Sequence, residues 1–200
     1  MVKIGIELND VIRDFTGQFI ECYRKMINPK FEKKISEIDD FDFRNSFPFD
    51  SKIDYQEFRF VDAAYDLNAL APLVDARLQG QINNWTENIL KNLDVDDDPE
   101  VVFFSSLEIG ATIPATLGFL GDKGFKAREY FFPIDSSKIF DKCDIVITAN
   151  PNIIENCPEG KTVIKINMAY NQETKCEITF DSLYELLVDE NNTLIKLIEK

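Results

Sequence analysis

The chain has 200 residues, 44% of them apolar, with 17 phenylalanines and a formal net charge of −14 from 22 basic and 36 acidic side chains. That length lets one domain, or one domain with a sizeable insertion, bury a substantial core, and the acidic balance argues against binding to a nucleic-acid backbone. There is no histidine, which excludes imidazole acid–base catalysis, Ser-His-Asp triads and His-ligated metals.

Residues 2–8 carry Val2, Ile4, Ile6 and Leu8 and stop at the polar pair Asn9 and Asp10. This is the pattern of a buried strand, and in α/β proteins ligands sit just past the carboxyl ends of such strands. Phe15, Phe19, Tyr23, Met26 and Ile27 recur at helical spacing and predict a helix over 15–27, ended by Asn28 and Pro29. Residues 30–54, rich in Phe and Asp without a period, read as an irregular connection with one short strand. Helices are expected over 55–71 and 72–93, the second on the stripe Leu78, Ile82, Trp85 and Ile89. The acidic run 94–99 makes a solvated turn.

Beyond it, strands are expected over 101–104, 127–132, 144–148 and, as the last, 162–166. They alternate with a helix over 108–120 and helical turns at 137–142 and 152–156, and helices over 182–188 and 193–199 close the chain. Near-continuously apolar strands in such alternation predict a mostly parallel sheet covered on both faces. Cys22, Cys143, Cys157 and Cys176 are scattered with no C-x-x-C pair, so they read as reduced thiols without zinc. MVKIGI runs into a strand rather than a signal peptide, and no apolar run approaches the roughly 18 residues of a membrane span. The expectation is a soluble cytoplasmic protein, or one packaged from the cytosol into a larger assembly.

The opening VKIGIELNDVIRDF resembles the first motif of the haloacid-dehalogenase-like (HAD) phosphohydrolases, strand-D-x-D-x-[TV], in the D-x-D-G-V form of the 5'(3')-deoxyribonucleotidases. Laid on it, Glu7 falls where the nucleophilic Asp belongs, Asn9 where the acid/base Asp belongs, and Asp10 at the Gly, where it reads as a turn or helix N-cap residue. VVFFSS at 101–106 matches the second motif and offers Ser105 or Ser106 as the phosphate-binding hydroxyl. Lys138 is the match for the third-motif lysine and reads equally as a surface lysine. DIVITANP at 144–151 is similar to the fourth motif, D-h-h-h-D-D-N-P, with Thr148 and Ala149 in place of the acidic pair. PEGKTVIKI at 158–166 resembles the loop and strand that follow in nucleotidase-like members often found in phage genomes. The resemblance implies an α/β, HAD-like Rossmannoid three-layer sandwich. Its core would be 1–14 and 94–200, and a helical cap over 15–93 would be inserted after the first strand.

The substitutions bear on chemistry. Glu7 keeps a carboxylate but adds a methylene, and a displacement of ~1 Å at a reacting atom can cost ~10²-fold. Asn9 cannot donate and recover a proton. Thr148 and Ala149 supply no carboxylate for magnesium. The expectation is a catalytically inactive HAD-like protein, structural or protein-interacting, with no catalytic residue, metal or cofactor. Ser105 and Lys138 would hold phosphate if that function is retained. The partner would be a protein, a virion component or a second copy, with no nucleic acid and no membrane. The segment 31–53 is a candidate interaction arm, because aromatic residues set among charges can anchor in a partner's pockets; the competing reading is a cap loop that tucks its phenylalanines into its own core. Two alternatives stay open: a magnesium-dependent deoxyribonucleotidase-like phosphatase using Glu7, Ser105 and Lys138, and a nucleotide or phosphate binder without turnover.

Overall fold

The computed structural model describes residues 2–84, 99–106, 108–125 and 129–199. Its centre is a six-stranded sheet: β1 (Lys3–Glu7), β2 (Glu100–Phe104), β3 (Glu129–Phe131), β4 (Ile145–Thr148), β5 (Thr162–Ile166) and β6 (Ile178–Phe180). The spatial order is β3-β2-β1-β4-β5-β6 and every pairing is parallel. β6 was not expected from the sequence, since its three residues are too few to show an alternation. The expected short strand within 30–54 is replaced by a single 3-10 turn, Ile35–Glu37.

Both sheet faces are buried, as the apolar strands require. On one face Ile4, Ile6, Phe103, Ile147, Ile164 and Ile166 pack with α4 (Thr112–Asp122), α6 (Leu183–Leu187) and α7 (Thr193–Ile198). On the other, Val102, Phe104, Val146 and Val163 meet α5 (Pro151–Glu155) and the 3-10 turn Ser136–Asp141. Gly5 is needed on this second face, where an added Cβ would stand 3.1 Å from Cys143 Sγ. The three layers of the expected sandwich are therefore present.

Between β1 and β2 the chain builds a separate aromatic core. α1 (Phe15–Met26) is capped by Asp14, whose carboxylate accepts from the Gly17 N–H at 2.8 Å, and it buries Phe15, Phe19, Ile20 and Tyr23. The helix expected over 55–71 is divided into α2 (Lys52–Glu57), a π-helical turn (Phe58–Asp62) and α3 (Ala64–Ala69). The widened turn closes with the Ala63 N–H on the Phe58 carbonyl at 2.8 Å. Phe31, Phe43, Phe47, Tyr55 and Phe58 are buried around Phe19, so most of the phenylalanines of 31–53 fold inward.

The helix expected over 72–93 does not begin at Pro72. Residues 72–79 contain only the 3-10 turn Ala76–Leu78, and helix resumes at 81–84. Pro72 and the left-handed Gly80 (φ +79°) break the run. Leu78 and Ile82 pack into the sheet's core, and Trp85 and Ile89 lie outside the described residues. Among the described residues no helix is long and apolar enough to cross a membrane.

Candidate functional site

β1 lies between β2 and β4, the point where the strand order reverses and where a crevice opens past the carboxyl ends in this class of sheet. Glu7 is the last residue of β1 and is 3% exposed. Its carboxylate accepts the Thr148 hydroxyl from the end of β4, and that hydroxyl oxygen in turn accepts from the Asn150 N–H at 2.9 Å. Burial pushes this carboxyl up to about 7, with the nearby Asp10 adding to the rise; the Thr148 hydroxyl and the neighbouring Ala149 and Asn150 N–H groups oppose it.

Asp10 adopts the left-handed conformation at φ +58°, which aspartate tolerates better than most side chains. It is not the N-cap of α1, a role taken by Asp14. Its buried carboxylate instead accepts from the Thr16 N–H at 2.8 Å, the Thr16 hydroxyl at 2.6 Å and the Tyr170 hydroxyl at 3.0 Å. The loop after β1 is thereby tied both to α1 and to the segment after β5. Burial pushes Asp10 up to about 6 and raises the Tyr170 phenol well above its ordinary value.

These raised carboxyls set a pH dependence. Both folded-state values lie above the unfolded ones, so the folded state holds its protons more tightly. The stability they contribute is present at low pH and is lost as pH rises from about 4 through about 7. Urea unfolding should show stability falling by a few kcal/mol across that window. Glu7→Gln, which carries no charge to bury, should flatten the upper part of the decline.

The centre of the crevice is held by Arg13, which is fully buried. Its Nε donates to Asn9 Oδ1 at 2.6 Å. Nη1 donates to Thr116 Oγ1 at 2.8 Å and to the Asn68 carbonyl at 3.1 Å. Nη2 donates to Glu108 Oε1 at 2.5 Å and Ser105 Oγ at 3.4 Å, while Ser105 Oγ itself donates to Glu108 Oε1 at 2.8 Å. A guanidinium has five N–H donors, and each has an acceptor here. Phe15 and Phe119 flank it, with ring centroids 5.6 and 5.9 Å from Cζ, a geometry that favours a cation.

Of the residues singled out from the sequence, the structure brings Asn9 and Ser105 together through Arg13, and Glu7 together with Thr148 and Ala149. Ser106 is buried, and its hydroxyl has no hydrogen-bond partner among the described residues. Lys138 stands apart on the 3-10 turn Ser136–Asp141, its side chain 60% exposed and 3.5 Å from Asp141 Oδ2, with no contact to Glu7, Asn9 or Ser105 among the described residues. Sequence reasoning passed over Arg13 and Glu108, which lie 95 residues apart in the chain and carry no local signal of their pairing. It also passed over Lys165, buried on β5 beside Thr148, whose ammonium donates to the Asn171 and Thr174 carbonyls at 3.3 and 2.9 Å.

A cavity of about 1000 Å³ lies between α1, residues 33–36 and residues 167–172. A smaller one of about 310 Å³ reaches Asp10. Neither is lined by Glu7, Asn9 or Ser105.

No protein-family profile matches the sequence, and no curated protein matches it. Solved structures do. A haloacid dehalogenase-like hydrolase from Burkholderia xenovorans LB400 superposes with a TM-score of 0.60 at 10% identity, over 96% of this chain and 98% of that one. This chain has the haloacid-dehalogenase-like fold. The HAD-hydrolase YfnB from Bacillus subtilis, in a form bound to magnesium, matches with a TM-score of 0.57 at 11% identity over 92% and 96% of the two chains. A haloacid dehalogenase-like hydrolase from Streptococcus pneumoniae matches at 0.54 and 11% over 94% and 97%. The HAD-like fold thus extends over nearly the whole chain, and Glu7, Ser105 and Thr148 lie at the carboxyl ends of the adjacent strands β1, β2 and β4.

Proposed function

We propose that this chain is a HAD-like protein that does not transfer phosphoryl groups and serves as a structural or protein-interaction component. The observation that carries the proposal is Arg13. Its guanidinium occupies the space between Asn9 and Ser105, where a phosphoryl group would need both neighbours, and it is already neutralised by Glu108. Phosphate would have to displace Glu108 from a buried pair to gain that cation.

Magnesium, which the fold family implies, does not fit the residues at the ends of β1 and β4. They offer one buried carboxylate already engaged by a hydroxyl, that hydroxyl, which also accepts from the Asn150 N–H, and an alanine. A hard divalent cation needs several free oxygen ligands. Among the described residues no group of three or more Asp, Glu or Cys is placed to hold a metal ion.

The finer placement, with phage-type nucleotidase-like proteins, is supported by the strings at 2–15 and 158–166, and it favours a virion component or a second copy as partner. Purified protein incubated with magnesium and a panel of deoxynucleoside monophosphates should release no phosphate above a protein-free control. Turnover abolished by Glu7→Gln would overturn the proposal in favour of a rewired phosphatase.

A further inference from the structure

Two of the four thiols lie together, away from the crevice. Cys22 and Cys143 are buried within core clusters, whereas Cys157 and Cys176 are part-exposed and line the same cavity of about 320 Å³. Cys157 Sγ donates to the Lys161 carbonyl at 3.5 Å. Cys176 Sγ lies 3.5 Å from the Val163 carbonyl and 3.3 Å from that of Ile178. Lys161 and Val163 flank Thr162, where β5 begins, so the two thiols rest on carbonyls two residues apart in the chain. Burial raises the Cys157 thiol, and the charge of Cys176 raises it further, which is the effect of a neighbouring sulfur. The cavity between them gives both side chains room to change rotamer.

We propose that Cys157 and Cys176 form a dithiol site that a small disulfide oxidant, such as oxidised glutathione, closes into an intramolecular disulfide. One cysteine loses its proton to solvent and its sulfur attacks the oxidant, breaking that S–S bond and releasing one glutathione thiolate. The second cysteine, deprotonated in turn, attacks the protein sulfur of the mixed disulfide and releases the second glutathione. Two protein thiols and one oxidised glutathione become one protein disulfide and two reduced glutathiones, with two electrons passing to the oxidant. The product would tie the loop before β5 to the segment before β6, bracing the edge of the sheet. The inference is independent of whether the crevice binds phosphate.

The test is incubation of the full chain with oxidised glutathione, followed by thiol titration, peptide mapping by mass spectrometry and thermal unfolding. Two of the four thiols should be lost, with one Cys157–Cys176 cross-linked peptide, free Cys22 and Cys143, and a melting temperature several degrees higher. The reaction should quicken as pH rises, because the attacking species is the thiolate. Cys157→Ser should leave glutathione attached to Cys176 and no cross-link. Separate glutathione adducts on both cysteines of the unaltered chain, or four free thiols, would overturn the proposal.

Discussion

Arg13→Leu should be among the most damaging substitutions in the chain, costing about 3–5 kcal/mol in urea unfolding. The leucine would leave the Glu108 carboxylate, whose side chain is 4% exposed, in the interior without its cation. It would also strip the Asn68 carbonyl and the Thr116 hydroxyl of their donors. Most of the loss comes from groups left unsatisfied, not from the attraction of the pair, because removing two buried charges together is far cheaper than removing one. The double variant Arg13→Met with Glu108→Leu should therefore recover much of the stability lost in the single one. Arg13→Lys should not, since an ammonium lacks the planar fork that reaches Asn9, Thr116 and Glu108 at once. A loss below about 1 kcal/mol for Arg13→Leu would mean that the guanidinium is not seated among these partners. Because Asn68 belongs to α3 and Thr116 to α4, this one side chain also fastens the inserted aromatic unit to the sheet domain.

Phe19→Ala should cost a comparable 3–5 kcal/mol. Phe19 is fully buried at the middle of the aromatic unit. Its ring centroid lies 4.7 Å from Phe47, 4.9 Å from Phe43 and 5.2 Å from Phe58. Tilted and edge-on pairs at such separations add to area burial, and several would be lost with one ring. Phe43 raises the stakes, since it holds a left-handed backbone at φ +67°, strained for a bulky side chain. Removing the ring it packs on should release that turn. Near-UV circular dichroism should lose much of its aromatic signal in the variant; an unchanged spectrum with a loss under about 1 kcal/mol would contradict the packing described.

Much of this molecule was legible in its sequence. Runs such as Val101 to Phe104 and Ile145 to Ile147 are apolar at every position because both faces of the sheet are covered, so their pattern needed no tertiary information. The ends of β1, β2 and β4, where Glu7, Asn9, Ser105 and Thr148 stand, were legible because apolar runs give way there to polar residues. What escaped depended on partners distant in the chain. The segment 72–79 carries apolar residues at helical spacing, yet Pro72 and Gly80 confine it to a 3-10 turn that returns Leu78 to the sheet core. β6 pairs over three residues, a length at which alternation carries no signal. The role of Arg13 is fixed by acceptors 55 to 103 residues away, and nothing in its immediate neighbours distinguishes a buried guanidinium from an exposed one. Phenylalanines set among aspartates in 31–53 are equally ambiguous until Phe19 and Tyr23 are seen to receive most of them.

The most direct test of the central claim, that the crevice is already filled by the chain's own cation, is the ¹⁵N NMR signal of the Arg13 Nε–H. In protein labelled on arginine and assigned with Arg13→Lys, that resonance should be sharp, slow to exchange with solvent, and unmoved as inorganic phosphate is added in the presence of magnesium. A shift of the Arg13 signal that saturates with phosphate would contradict the claim and restore the crevice as an anion site.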